Sequence, residues 1–154
     1  MKELTVIFFS CRRVHLLYQS VKAFLEHNTY PLVDFIIVND SADDEIHDQL
    51  RKIFQGATLV LNERNVGLMA SIDNGYAHVT TDYVLHFEDD WCVKKGGFIE
   101  PALEIMEARP DIAHALEFLG RRRDPPAGVE PVRRFRDQVL CGQHASAQRH
   151  VRAL

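Results

Sequence analysis

The sequence predicts an α/β protein: a doubly wound, mostly parallel sheet with helices on both faces. Three observations predict it. Apolar runs of strand length alternate four times with stretches of helical period, the order that builds parallel β-α-β units. The runs are nearly continuous rather than alternating, as in strands buried on both faces. A polar cluster follows each run: Ser10 to Arg13, Asn39 to Ser41, Asn62 to Asn65, and Glu88 to Asp90. In a parallel sheet all four fall along one rim, where such sheets bind their ligands.

Each element has its own grounds. Leu4 to Ser10 (L-T-V-I-F-F-S) is the first strand. Val14 to His27 places apolar residues at Val14, Leu17, Val21, Phe24 and Leu25, a helical repeat, and Pro31 disfavours helix at Tyr30. Val33 to Val38 is the second strand. Asp43 is placed to cap a helix over 44–54, whose Ile46, Leu50, Ile53 and Phe54 share one face; Gly56 stops it. Ala57 to Leu61 is a third, short strand. After a polar loop, Gly67 precedes a helix from Leu68 to about His78. Tyr83 to Phe87, aromatic and β-branched, is the fourth strand. Phe98 to Glu107 is helical and ends at Arg109-Pro110. Ile112 to Leu119 reads as a fifth strand or a short helix.

The chain has 154 residues, which suggests one domain. Charge divides it. Residues 1–120 hold 10 Lys and Arg against 19 Asp and Glu, a net of −9, whereas residues 121–154 hold 8 Arg against 3 acids, a net of +5. We therefore expect an α/β body over 1–120 and a basic tail over 121–154, partly disordered or the remnant of a further half. An acidic body does not attract nucleic acid. Three scattered cysteines argue against a disulfide framework or a zinc site and suit a reducing compartment, so the cytoplasm is expected. No apolar run reaches the length of a membrane span; peripheral membrane contact stays open.

The chemistry concentrates where the fourth strand ends. Three adjacent carboxylates, Glu88, Asp89 and Asp90, oppose one another's ionisation. A hard cation offsets that cost, and Mg2+ or Mn2+ sits between one or two carboxylates and substrate phosphates. The alternative is a helix start or a turn, where acids are also favoured. The glycine-rich routes to phosphate are missing. The turn after the first strand is S-C-R-R-V-H, without the G-x-G-x-x-G of dinucleotide folds, and G-x-x-x-x-G-K-[ST] is absent.

Three motifs together resemble the nucleotide-sugar glycosyltransferases of family 2, which have the glycosyltransferase A fold: I-I-V-N-D-S (Ile36 to Ser41), N-V-G-L-M-A-S-I-D-N-G-Y (Asn65 to Tyr76) and H-F-E-D-D-W (His86 to Trp91), the last at the D-x-D position with glutamate first. The resemblance covers residues 4 to about 117. It implies that Asp40 accepts a hydrogen bond from the base, uracil N3–H being favoured. Ser10 and Arg12 would line the nucleotide pocket, with Asn65 on the phosphate or ribose side. Glu88 would face the ribose or, through water, the metal; Asp89 joins the nucleotide set; Asp90 would be the metal ligand. Asp73 stands where relatives often carry asparagine. The residue-level alternatives are an Asx turn at Asp40, a left-handed turn residue at Asn65 and core packing for Trp91.

The implied activity is transfer of a sugar from a nucleoside-diphosphate donor, a UDP-sugar favoured, to a hydroxyl of a glycan or other acceptor, with Mg2+ or Mn2+. The alternatives are a non-catalytic sugar-nucleotide-binding module lacking the acceptor half, and a nucleotidyltransferase, which usually opens on the glycine-rich loop missing here. No catalytic base is identified: the carboxylates after Asp90 fall in no motif.

Overall fold

The computed structural model describes residues 1–109, 111 and 152–153, the last two as backbone. Strands β1 (Leu4–Ser10), β2 (Asp34–Asn39), β3 (Thr58–Leu61) and β4 (Tyr83–Glu88) alternate with helices α1 (Val14–His27), α2 (Asp44–Ile53), α3 (Leu68–Tyr76) and α4 (Ile99–Ala108). A two-residue strand, β5 (Arg152–Ala153), completes a sheet of order β3-β2-β1-β4-β5 in which every pairing is parallel. The chain steps from β1 to β2 to β3 in one direction, then crosses back to place β4 on the other side of β1. The order of strands therefore reverses between β1 and β4, the point where doubly wound sheets open a crevice.

Side-chain alternation along β1 splits the core into two layers. Leu4, Val6 and Phe8 face α1, α2 and α4, and pack with Leu17, Val21, Phe24, Leu50, Leu103 and Met106. Ile7 and Phe9 face the other way, with Ile36, Val38 and Val84, under Ile72 and Tyr76 of α3. Every residue of β1 is buried, which is why its sequence reads as a nearly continuous apolar run. Phe8 anchors the first layer, stacked on Phe87 at 4.8 Å and edge-on to Phe24 at 5.9 Å; burying one such side chain stabilises the fold by about 1.5–3 kcal/mol.

Local signals act as the sequence implies. Asp43 caps α2, its Oδ1 accepting from the Glu45 and Ile46 amides at 3.0 and 3.2 Å. Arg109 ends α4. Cys11 and Cys92 are free. Other details differ. Leu25 and Ile53, expected on the inner helix faces, are 57% and 44% exposed, because each lies at the margin of its stripe; His47 is buried in α2 instead. Val33 is exposed and β2 starts one residue later. The expected element over 112–119 and the boundary near Gly120 lie outside the described residues. Within the segment expected to be poorly ordered, Arg152–Ala153 is paired to Tyr83 and Val84 of β4, a strand too short to leave a periodic signal. No helix among the described residues is long and apolar enough to cross a membrane.

Candidate functional site at the carboxyl ends of the strands

The parallel register brings the expected clusters to one rim. Ser10 pairs with Asn39, Asn39 with Leu61, and Phe9 with Glu88. Ser10 ends β1 with its hydroxyl accepting from Asn39 Nδ2 at 2.8 Å. Asn39 Oδ1 in turn accepts from the Ser41 amide at 3.1 Å. The Asx-type bond therefore belongs to Asn39, and the carboxylate of Asp40 is left for other work.

Asp40, 6% exposed, holds the loop that leads into α3. Its Oδ1 accepts from Asn62 Nδ2 at 2.8 Å and the Val66 amide at 2.9 Å, and its Oδ2 from the Gly67 amide at 2.9 Å. Asn65 donates to the Asp40 carbonyl at 2.7 Å. α3 has no capping side chain of its own, so this carboxylate, supplied from the end of β2, meets the positive end of the helix dipole. Gly67, at φ 83°, supplies the left-handed backbone that turns its amide to Asp40, a conformation costly for other residues. Asn65 does not have a positive φ; its side chain, not its backbone, does the work.

The loops after β1 and β2 are held in sparsely populated conformations. Arg12 (φ 59°) and Ala42 (φ 53°) are the non-glycine residues with positive φ among the described residues. Such backbone costs about 1–3 kcal/mol and collects at functional sites. Arg12 follows the turn where a glycine would be easier, yet its side chain lines a groove of about 780 Å3 between α1 and α2, beside His15, Tyr18 and Asp43. Among the described residues no hydrogen bond or ion pair ties its side chain to Asp40 or Asn65.

The acid triplet divides. Asp89 is 1% exposed and turned inward to Arg13: Nε donates to Oδ2 at 3.1 Å, while Nη2 lies 2.5 Å from Oδ1, a charge contact rather than an aligned hydrogen bond. Burial pushes its carboxyl above the usual range; the Arg13 charge holds it part-way back, and Asp90 pushes it further up. Expected among the nucleotide contacts, Asp89 has its carboxylate committed to Arg13. Glu88 is half-buried and Asp90 exposed. Neither carboxylate has a hydrogen-bond or ion-pair partner among the described residues. Those residues contain no group of three or more His, Cys, Asp or Glu able to hold a metal. The two hard oxygen donors thus suit an ion that brings the rest of its shell from phosphate and water, as Mg2+ does, and not a closed protein site.

The family model for glycosyl transferase family 2 matches residues 5–125. The chain belongs to that family. The crystal structure of S. aureus TarS superposes with a TM-score of 0.56 at 16% identity, over 82% of this chain and 23% of that one. The chain therefore spans about a quarter of the length of TarS, and the shared property is the fold. No curated protein matches the chain in sequence.

Other residues of this family 2 domain organise the rim without a motif to mark them. Asn62 Nδ2 also reaches Ser71 Oγ at 3.2 Å, and Asn74 donates to Asn62 Oδ1 at 3.1 Å. Ser71, Asn74 and Gly75 fall on one face of α3 at helical spacing, the one signal that could have found them. Beside Glu88, His86 stacks on Phe9 at 4.5 Å and its Nδ1 lies 3.0 Å from the Tyr76 hydroxyl, whose pKa burial pushes up to about 12. Trp91 packs edge-on to Phe87 at 6.0 Å, a core contact. Asp73 is exposed on α3.

Proposed function

We propose that this family 2 domain carries the donor site of an enzyme that moves a sugar from a nucleoside-diphosphate donor, a UDP-sugar favoured, to a hydroxyl of a glycan or other acceptor. The supporting observation is a pair of carboxylates without partners among the described residues, Glu88 and Asp90, at the end of the strand beside β1 where the strand order reverses. In a body this acidic, such a pair would repel a diphosphate unless a cation lay between them. Asp90 would hold Mg2+ or Mn2+ directly, and Glu88 through water or from the ribose side. When bound, such an ion would supply positive charge against the negative charge that gathers on the departing nucleoside diphosphate.

The chain's own residues do the rest. Ser10 and Asn65 line the nucleotide, with Arg12 at the margin, and Asp40 accepts from the base. Asp89 contributes through Arg13, which ties the start of α1 to the turn after β4. The base that deprotonates the acceptor is left unassigned: Glu100 and Glu104 are exposed on α4, Glu107 pairs with Lys2 and Asp111 with Arg109.

Calorimetry with UDP and Mn2+ tests the site. Asp90→Ala should abolish metal-dependent UDP binding, while Asp40→Ala should weaken UDP binding and spare Mn2+ affinity. Unchanged UDP affinity in Asp90→Ala would refute the metal assignment. Metal-dependent release of UDP from a UDP-sugar supports a transferase; tight binding with no turnover would leave a sugar-nucleotide-binding module.

A further inference from the structure

An ionised carboxylate accepts about four hydrogen bonds, two on each oxygen. In Asp40 three of the four are taken. Oδ1 is filled by Asn62 Nδ2 and the Val66 amide, and Oδ2 accepts from the Gly67 amide. Among the described residues no fourth donor reaches it. One acceptor position, on Oδ2, remains.

That count bears on which base the site takes. Uracil presents a single ring N–H on its pairing edge. Guanine presents two donors side by side, N1–H and the 2-amino group, and a carboxylate satisfies both only through an open position on each oxygen. With Oδ1 filled, guanine's second donor would be desolvated without a partner, which offsets much of what the first bond returns. We propose that Asn62 is a positioning residue for base selection: by occupying Oδ1 of Asp40 it leaves one acceptor, so the site takes a uracil-type base and rejects guanine. The inference rests on the nucleotide-donor reading and adds to it the residue that sets the choice. Asn62 is suited to the task because it is buried (8% exposed), with Ser71 Oγ accepting from the same Nδ2 and Asn74 donating to its Oδ1.

The test is competitive binding of UDP and GDP to the full chain with Mn2+, in the wild type, Asn62→Ala and Asn74→Ala. The wild type should favour UDP by about tenfold or more. Asn62→Ala frees Oδ1, giving Asp40 one open position on each oxygen; the UDP:GDP ratio should fall severalfold, with GDP affinity rising. Asn74→Ala removes the donor to Asn62 Oδ1 without touching an Asp40 acceptor and should lower thermal stability while keeping the ratio, so a general structural effect is separated from base selection. Equal affinity for UDP and GDP in the wild type overturns the inference without any variant. So does a folded Asn62→Ala with an unchanged ratio; in both cases the nucleotide reading stands. Binding of neither nucleotide to the wild type overturns both.

Discussion

At the scale of single residues, Arg13 and Asp89 carry the largest stake. Asp89 lies inside the domain and Arg13 is half in water, with side-chain exposures of 1% and 51%. Breaking a fully buried pair by deleting one partner costs about 3–5 kcal/mol. Water around Arg13 reduces that, so Arg13→Met is expected to destabilise the domain by about 2–3 kcal/mol at neutral pH. The sign with pH follows from burial. The Asp89 carboxyl is already raised above 3.8, so its contribution is complete below that value and is lost as pH rises through the raised one. Removing Arg13 raises the carboxyl further and enlarges the loss. Urea melts of the two proteins should converge below pH 3.8 and separate toward neutrality. A gap of constant size across that range would show that Arg13 acts by packing alone.

At the scale of elements, α3 joins the site to the core. A Cβ on Gly75 would lie 2.7 Å from Val38 Cγ2, 2.8 Å from Ile7 Cδ1 and 2.9 Å from Phe9 Cε1. Only glycine lets this turn of α3 rest so closely on β1 and β2. Two effects oppose each other in Gly75→Ala: better helix propensity, up to about 1 kcal/mol, and overpacking among side chains that have no room to yield, about 1–3 kcal/mol. The second should win, lowering stability by about 1–2 kcal/mol in thermal or urea melts. Gly56→Ala, where nothing lies within 4 Å, should be nearly neutral; a stabilised Gly75→Ala would mean that α3 stands off the sheet. The same helix shows what the sequence made legible. Strands, helices and the strand-end clusters were readable because burial on both faces makes strands near-continuous apolar runs, one-sided burial gives helices a period of 3.6 residues, and parallel pairing puts every strand end on one side. The work of Asp40 was not readable. Its partners, Asn62, Val66 and Gly67, lie 22 to 27 residues away, and spacing does not reveal who fills a carboxylate's lone pairs. The ion pair of Asp89 was hidden for a related reason: Asp89 lies in the turn just past β4, buried between a half-buried Glu88 and an exposed Asp90, and only the position of Arg13, 76 residues away in sequence, shows what receives it.

At the scale of the whole molecule, the charge of the body sets the terms on which the proposed nucleotide and cation would bind. Residues 1–120 carry a net of −9, and the rim adds two carboxylates without partners among the described residues. A nucleoside diphosphate arriving alone would meet like charge; a divalent cation arriving alone would meet, among the described residues, two carboxylates and no third His, Cys, Asp or Glu. On the proposed reading each ligand would complete the other's site, so the two should bind cooperatively. Thermodynamic linkage then fixes a strict equality: the factor by which Mn2+ tightens UDP must equal the factor by which UDP tightens Mn2+. We expect that factor to be about tenfold or more, within the usual range of coupling energies. In thermal melts, UDP and Mn2+ each at about a hundred times the dissociation constant should raise the midpoint by about 5–10 °C, and either alone should do much less. Asp90→Ala should reduce the coupling factor to near one while leaving the unliganded melting temperature almost unchanged, because an exposed carboxylate without a partner contributes little to stability. Wild-type midpoints that rise as far with UDP in chelator as with UDP and Mn2+ would show that the diphosphate is held by the protein directly, and the two carboxylates at the end of β4 would then need another explanation.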